Sequence, residues 1–211
     1  MWYRRFAGDC NRSAGLRVRD VALPGGLRSS TRAVCRTQRA APAQPLNRTD
    51  FAVSQSLDVA TRLLAALNEA GVAFTPTDHR PVYTSLEAAE ARGASLHSGA
   101  KALIVKSDAG DAMIVIPADM SLDGGAARRH LRSKRLRFAS QEELFELTGL
   151  TPGAVPPFGS LFKLLTMLDE RLAENDEINF NAGSHSRSIR MSYRDYIAFE
   201  KPEIARVAKQ A

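Results

Sequence analysis

Two β-rich runs joined by a turn constrain this chain more than any other feature. Ala100–Ser107 reads Ala-Lys-Ala-Leu-Ile-Val-Lys-Ser, and residues 112–117 read Ala-Met-Ile-Val-Ile-Pro. Asp108-Ala109-Gly110-Asp111 lies between them. A short polar link containing glycine between two such runs closes an antiparallel hairpin. Helical signals surround it. Leu57, Leu64 and Leu67 recur at helical spacing from about Ser54, with Gly71 where a C-cap would stand. Thr84 and Glu87 form a capping box for a second helix that Gly93 ends. Asp123 caps a third helix, expected to reach about Ser133. Ser140 and Glu143 form another capping box, and that helix stops at Gly149. Residues 135–139, 161–168, 177–181 and 187–191 read as strands, residues 151–159 as a Pro/Gly loop, and Ser192 as the cap of a last helix before Pro202. Strands and helices interspersed around a hairpin predict an α+β fold with a mixed sheet, not a doubly wound parallel one.

Charge is segregated along the chain. Residues 1–48 hold ten of the 29 basic residues, all Arg, and two of the 23 acids, a net of +8. The remaining 19 basic and 21 acidic residues leave residues 49–211 at −2. The first 48 residues are therefore expected to be an Arg-rich unstructured extension, and residues 49–211 the domain. An organelle transit peptide, a basic arm that touches RNA, and a start codon placed too far upstream each fit the extension. The first of these would direct the protein to mitochondria; otherwise it is expected in the cytoplasm. Any nucleic-acid surface on the domain must rest on local patches, because net charge does not supply it.

Several chemistries are excluded. Both cysteines, Cys10 and Cys35, lie in the extension, so the domain has no cysteine nucleophile, cysteine zinc site or disulfide framework. His79, His97 and His130 share no metal-ligand spacing, and no metal or cofactor is expected. GxGxxG and GxxxxGK[ST] loops and a GxSxG elbow are absent. No apolar run approaches the length of a membrane span.

Four segments resemble the YbaK family of prolyl-tRNA-synthetase-associated, aminoacyl-tRNA editing domains in order and spacing. They are Gly99-Ala100-Lys101-Ala102-Leu103, Ile116-Pro117-Ala118-Asp119, residues 151–159 with Gly153 to Pro157 as the family's GxxxP loop, and Phe180-Asn181-Ala182-Gly183-Ser184-His185 followed by Arg187 and Ile189. The resemblance runs over about residues 57–200. It implies a curved, mostly antiparallel sheet or barrel flanked by helices. It also implies an ester hydrolase acting on mischarged aminoacyl-tRNA, chiefly tRNA for proline carrying a small wrong amino acid such as Ala or Cys. Lys101 matches the family's functional lysine. Gly153, Ala154, Val155, Pro156 and Pro157 match the loop that shapes the aminoacyl pocket. Gly183, Ser184 and His185 match the loop that faces the reacting ester. Alanine-clearing members tend to follow the lysine with Asn and the cysteine-clearing type with Thr, whereas this chain has Ala102.

Ester hydrolysis needs a nucleophile, proton transfer and stabilisation of an oxyanion. With no Cys or elbow Ser in the domain, the nucleophile is expected to be water or a group on the substrate. Lys101 would supply positive charge near the terminal phosphate or the oxyanion, backbone N–H groups around residues 183–185 would hold the carbonyl oxygen, and His185 would position water or contact the ribose. A lysine at a strand end is otherwise a snorkelling surface residue, and a histidine after Gly-Ser a turn residue. Arg128, Arg129, Arg132, Lys134 and Arg135, with His130 and Arg137, form the densest basic cluster of the domain. It reads either as a solvated face or as a phosphate-contacting surface for a tRNA acceptor end. Expected partners are aminoacyl-tRNA and an aminoacyl-tRNA synthetase. A non-catalytic tRNA- or synthetase-binding protein is the alternative function.

Overall fold

The computed structural model describes residues 48–211, with side chains described from Val59 onward. The expected extension thus lies outside the described residues, apart from Arg48, which opens the first helix. In chain order the elements are α1 (Arg48–Glu69), β1 (Phe74–Asp78), α2 (Ser85–Arg92), β2 (Ala100–Ser107), β3 (Gly110–Pro117), β4 (Met120–Leu122), α3 (Gly124–His130), β5 (Leu136–Phe138) and α4 (Gln141–Thr148). There follow β6 (Leu165–Asp169), β7 (Glu177–Asn181), β8 (Arg187–Ser192), α5 (Tyr193–Glu200), β9 (Glu203–Ala205) and β10 (Ala208–Gln210). Both expected capping boxes form, at Thr84/Glu87 and Ser140/Glu143, and Gly93 and Gly149 close those helices in the left-handed conformation.

The hairpin is β2–β3, in register from Ala100↔Pro117 to Ser107↔Gly110. Its turn is tighter than the four residues expected, because Gly110 already pairs with Ser107. These strands centre a five-stranded sheet of order β5-β2-β3-β6-β9. β1, β8 and β7 make a three-stranded antiparallel sheet, and β10 pairs with β4. Among the strand pairs of the described residues, β3–β6 and β6–β9 are parallel and the rest antiparallel. The sheets are mixed and mostly antiparallel, and no closed barrel forms among the described residues.

Side-chain alternation gives the five-stranded sheet two cores. Met113 and Val115 of β3 join Leu63 and Leu67 of α1 and a centre of Phe158, Phe180 and Tyr196. Ile114 and Ile116 face the other way, onto Ala126 and Ala127 of α3 and Val207. Phe158 meets Phe180 and Tyr196 edge-on, with ring centroids 5.3 Å apart in both pairs, the arrangement that ring quadrupoles favour.

Of the boundaries that differ from the sequence reading, two have a clear local cause. The third helix ends at His130, not Ser133: Arg132 turns left-handed at φ 52°, and Ser133 N–H donates back to Arg128 O at 2.9 Å. Asp108 at the hairpin tip then captures the Lys134 and Arg135 amides at 3.0 and 3.2 Å. The strand expected over 161–168 starts only at Leu165, after a 3-10 turn at Gly159–Phe162. Gly159 is needed there, because a Cβ would collide with Thr166 Oγ1 and lie 2.8 Å from Leu164 O.

Candidate active site

A cleft of about 340 Å³ opens beside the start of β2. α2 forms one side, the β5–α4 connection another, and the 152–155 loop, the end of β7 and His185 close it. Strand pleating sorts the two residues singled out on β2. Ala102 pairs with Val115 and packs on the larger core, bordering the cleft. Lys101 pairs with Ile116, a residue of the smaller core.

Lys101 lines the cleft, and its Nζ donates to Met120 O at 2.7 Å and more weakly to Ala118 O at 3.5 Å. Partial burial lowers its pKa below the usual lysine value, and Asp119 opposes that shift. Asp119 is held in turn by His97 Nδ1 at 2.9 Å, with Glu174 3.3 Å from His97 Nε2. The lysine is thus fixed by main-chain carbonyls at the β3–β4 corner.

Two loops contribute to the cleft together with Lys101. Gly153 and Val155 line the cleft, whereas Ala154, Pro156 and Pro157 are buried behind them. Pro157 O accepts from the buried Tyr196 hydroxyl at 2.6 Å. Gly153 sits at φ 86°, and a Cβ there would lie 3.2 Å from His185 Cε1. The second loop joins β7 to β8, with Gly183 at φ 84°. Its Gly183 N–H donates to Ala154 O at 3.0 Å, which ties the two loops together. That amide is therefore not open to substrate; among the described residues, the Ser184 and His185 amides have no protein acceptor.

His185 reaches the cleft with its ring 4.8 Å from that of Tyr83. Nδ1 lies 3.1 Å from Val82 O, and Nε2 lies 3.1 Å from Thr151 Oγ1. A carbonyl only accepts, so Nδ1 donates to Val82 O, while Nε2 pairs with the Thr151 hydroxyl, which can donate or accept. Thr151 does not line the cleft. The pair therefore orients the imidazole and does not present a nucleophilic hydroxyl to substrate.

Sequence reasoning missed Arg92, Asn181 as a side chain, Tyr83 and Phe138. Arg92, the last residue of α2, lines the cleft; its Nε donates to Ser188 Oγ at 2.8 Å and its NH2 to Asn181 Oδ1. Burial pulls its pKa down to about 10, so it stays charged at neutral pH. Asn181 Nδ2 donates to Gly153 O at 2.6 Å, and His79 Nε2 contacts Ser188 Oγ at 2.6 Å. Tyr83 and Phe138, 74% and 57% exposed, border the same cleft. An arginine at a helix end reads from sequence as an exposed C-terminal charge; only the fold turns it inward. The aromatics carry no local motif.

Arg128, Arg129, Arg132, Lys134 and Arg135 are all exposed, from the end of α3 to the entry of β5. None of them lines the cleft, but β5 runs from this segment directly to Phe138 at its border. Arg137 differs from them: both its terminal nitrogens grip Glu143, at 2.6 and 2.7 Å.

The sequence model of the aminoacyl-tRNA editing domain matches residues 79–199, a span that contains every cleft residue named above. The chain is 34% identical over 155 residues to the multifunctional Ser/Thr-tRNA deacylase ProXp-y of Escherichia coli (strain K12), covering 71% of this chain and 93% of that protein. It is 26% identical over 145 residues to the prolyl-tRNA editing protein ProX of Acetoanaerobium sticklandii, covering 66% and 88%. Among solved structures it resembles a candidate trans-editing enzyme for prolyl tRNA synthetase, with a TM-score of 0.66, 29% identity and coverage of 72% and 97%. The match across the cleft, together with the near-complete overlap with these relatives, shows that the chain belongs to the aminoacyl-tRNA editing domain family.

Proposed function

We propose that this protein hydrolyses, in trans, the ester that joins a wrong amino acid to the 3′-terminal ribose of a tRNA. The observation that carries this reading is the cleft, which Lys101, Gly153, Val155 and His185 all line within the span of the family match. Water, or water activated by the vicinal ribose hydroxyl, attacks the ester carbon. The Ser184 and His185 amides and the Lys101 ammonium stabilise the oxyanion. The ester C–O bond then breaks, and the ribose oxygen takes up the proton that the water gave up. His185, held at both ring nitrogens by Val82 O and the Thr151 hydroxyl, positions these groups. The synthetase that charges the tRNA is a second proposed partner, and the cytoplasm, where charging occurs, the proposed location.

The amino acid removed is small. Alanine and cysteine on tRNA for proline remain candidates, and the relative named as a Ser/Thr-tRNA deacylase adds serine and threonine. Ala102 gives the cleft border a methyl where Asn or Thr would bring hydrogen-bonding groups, so room is favoured over a polar contact at that point.

The test is a deacylation panel: tRNA for proline carrying alanine, cysteine, serine or proline, and tRNA for threonine carrying serine or threonine. Rapid loss of one mischarged species above the buffer rate is expected. Survival of every ester while the tRNA stays bound would overturn the enzymatic reading. The exposed cluster at residues 128–135 is proposed to contact acceptor-end phosphates. Binding should then weaken steeply with salt, and Arg128→Ala with Arg129→Ala should flatten the log–log slope by about 1–2. A slope unchanged by the double substitution would return the cluster to a solvated face.

A further inference from the structure

The cleft contains a second cation that the proposed chemistry has not used. Arg92 carries five N–H donors. Two are spent on the neutral oxygens of Ser188 and Asn181. Among the described residues the other three have no acceptor and no carboxylate pairs with the guanidinium, although the side chain is only partly exposed. A structural tie between α2 and β8 would not need a charge here, because a partly buried cation without a counter-ion costs more desolvation than a neutral amide would. The side chain is also braced before any ligand arrives. The fork cannot swing away without breaking its bonds to β7 and β8, and those acceptors are themselves held, Ser188 by His79 and Asn181 by Gly153 O. A pre-positioned cation with open donors at a cleft border is the form of an oxyanion or phosphate receptor.

The aminoacyl end of a tRNA fixes which of its groups can dock there. Its α-ammonium is positive and would be repelled. The negative oxygens are those of the terminal phosphodiester, together with the ester carbonyl oxygen as it gains charge. Resting on the deacylase reading above, we propose that Arg92 is a further substrate-binding residue that receives an anionic oxygen of the tRNA 3′ end. Lys101 and Arg92 then act as two separate cations for one substrate.

The test uses two non-hydrolysable probes, 3′-alanylamino-3′-deoxyadenosine with and without a 5′-phosphate. Their binding to wild type, Arg92→Gln and Arg92→Lys is measured by calorimetry, beside single-turnover deacylation and melting temperatures. If Arg92 holds the terminal phosphate, wild type prefers the phosphorylated probe by tenfold or more, Arg92→Gln loses that preference, and Arg92→Lys retains part of it. If it holds the reacting oxygen, the preference survives in Arg92→Gln but deacylation slows about a hundredfold, with partial recovery in Arg92→Lys. Arg92→Gln with wild-type preference and rate would overturn the proposal. So would equal impairment of both variants in step with lowered melting temperatures, which marks a structural brace. A wild type that deacylates nothing yet shows the Arg92-dependent preference would sink the proposed reaction and leave the anion site standing.

Discussion

The two walls of the cleft hold their functional groups by different means. On the β2 wall, Lys101 is anchored by the Met120 and Ala118 carbonyls. Main-chain acceptors are present whatever the side chains are, so this wall depends little on its neighbours' identity. On the loop wall, the side chains of Asn181, Ser188 and Arg92 hold one another, Asn181 also donates to Gly153 O, and a main-chain bond from Gly183 to Ala154 ties the loops. There, removing one member disturbs the rest. The comparison teaches that the β2 wall can be altered chemically without structural loss, whereas the loop wall couples chemistry to stability.

Lys101→Ala is the largest test. It should slow single-turnover deacylation by about 10²–10³-fold, the usual cost of one oxyanion-stabilising donor, while the melting temperature stays near wild type. A drop in melting as large as that of a loop-wall variant would erase the distinction. Gly153→Ala comes next. Left-handed backbone costs an L-residue about 1–2 kcal/mol, and the new methyl would press on His185 Cε1. For a domain of this size each kcal/mol lowers the melting temperature by roughly 2–4 °C, and turnover should fall with it. A stable Gly153→Ala with slow turnover would show that the loop wall is not coupled as described. The smallest effect is at the Lys101 corner, where Asp119 raises the His97 pKa above its ordinary value. A raised histidine pKa adds stability that is fully present below pH about 6.5 and is lost as pH rises through the folded-state value. His97→Gln should therefore lower the melting temperature at pH 5.5 more than at pH 8. The difference should stay under about 1 kcal/mol, since both partners are partly solvated. An equal shift at both pH values would assign His97 a packing role only.

Legibility from sequence followed the range of the forces involved. Capping boxes and the hairpin are local, and Thr84, Ser140 and the β2–β3 pair stood where their residues put them. The three-residue strands β4, β9 and β10 carry too few residues to show a period, and tertiary pairing alone defines them. Lys101 and the two glycine loops were readable because their segments resemble a family. Arg92 was not, since its partners Asn181 and Ser188 lie about ninety residues away and no spacing rule joins them. The spent amide of Gly183 was also invisible, because its acceptor, Ala154, lies on another loop.

The pleat of β2 has a consequence for how such proteins diverge. Lys101 and Ala102 are chain neighbours, yet they pair into opposite faces of one sheet. Under the proposed function, a mutation at 102 would reshape the cleft border and leave the Lys101 ammonium on its carbonyl mooring. Selectivity can therefore drift by single substitutions while the machinery for bond cleavage is inherited intact, so a lineage can exchange one substrate for another without passing through an inactive ancestor.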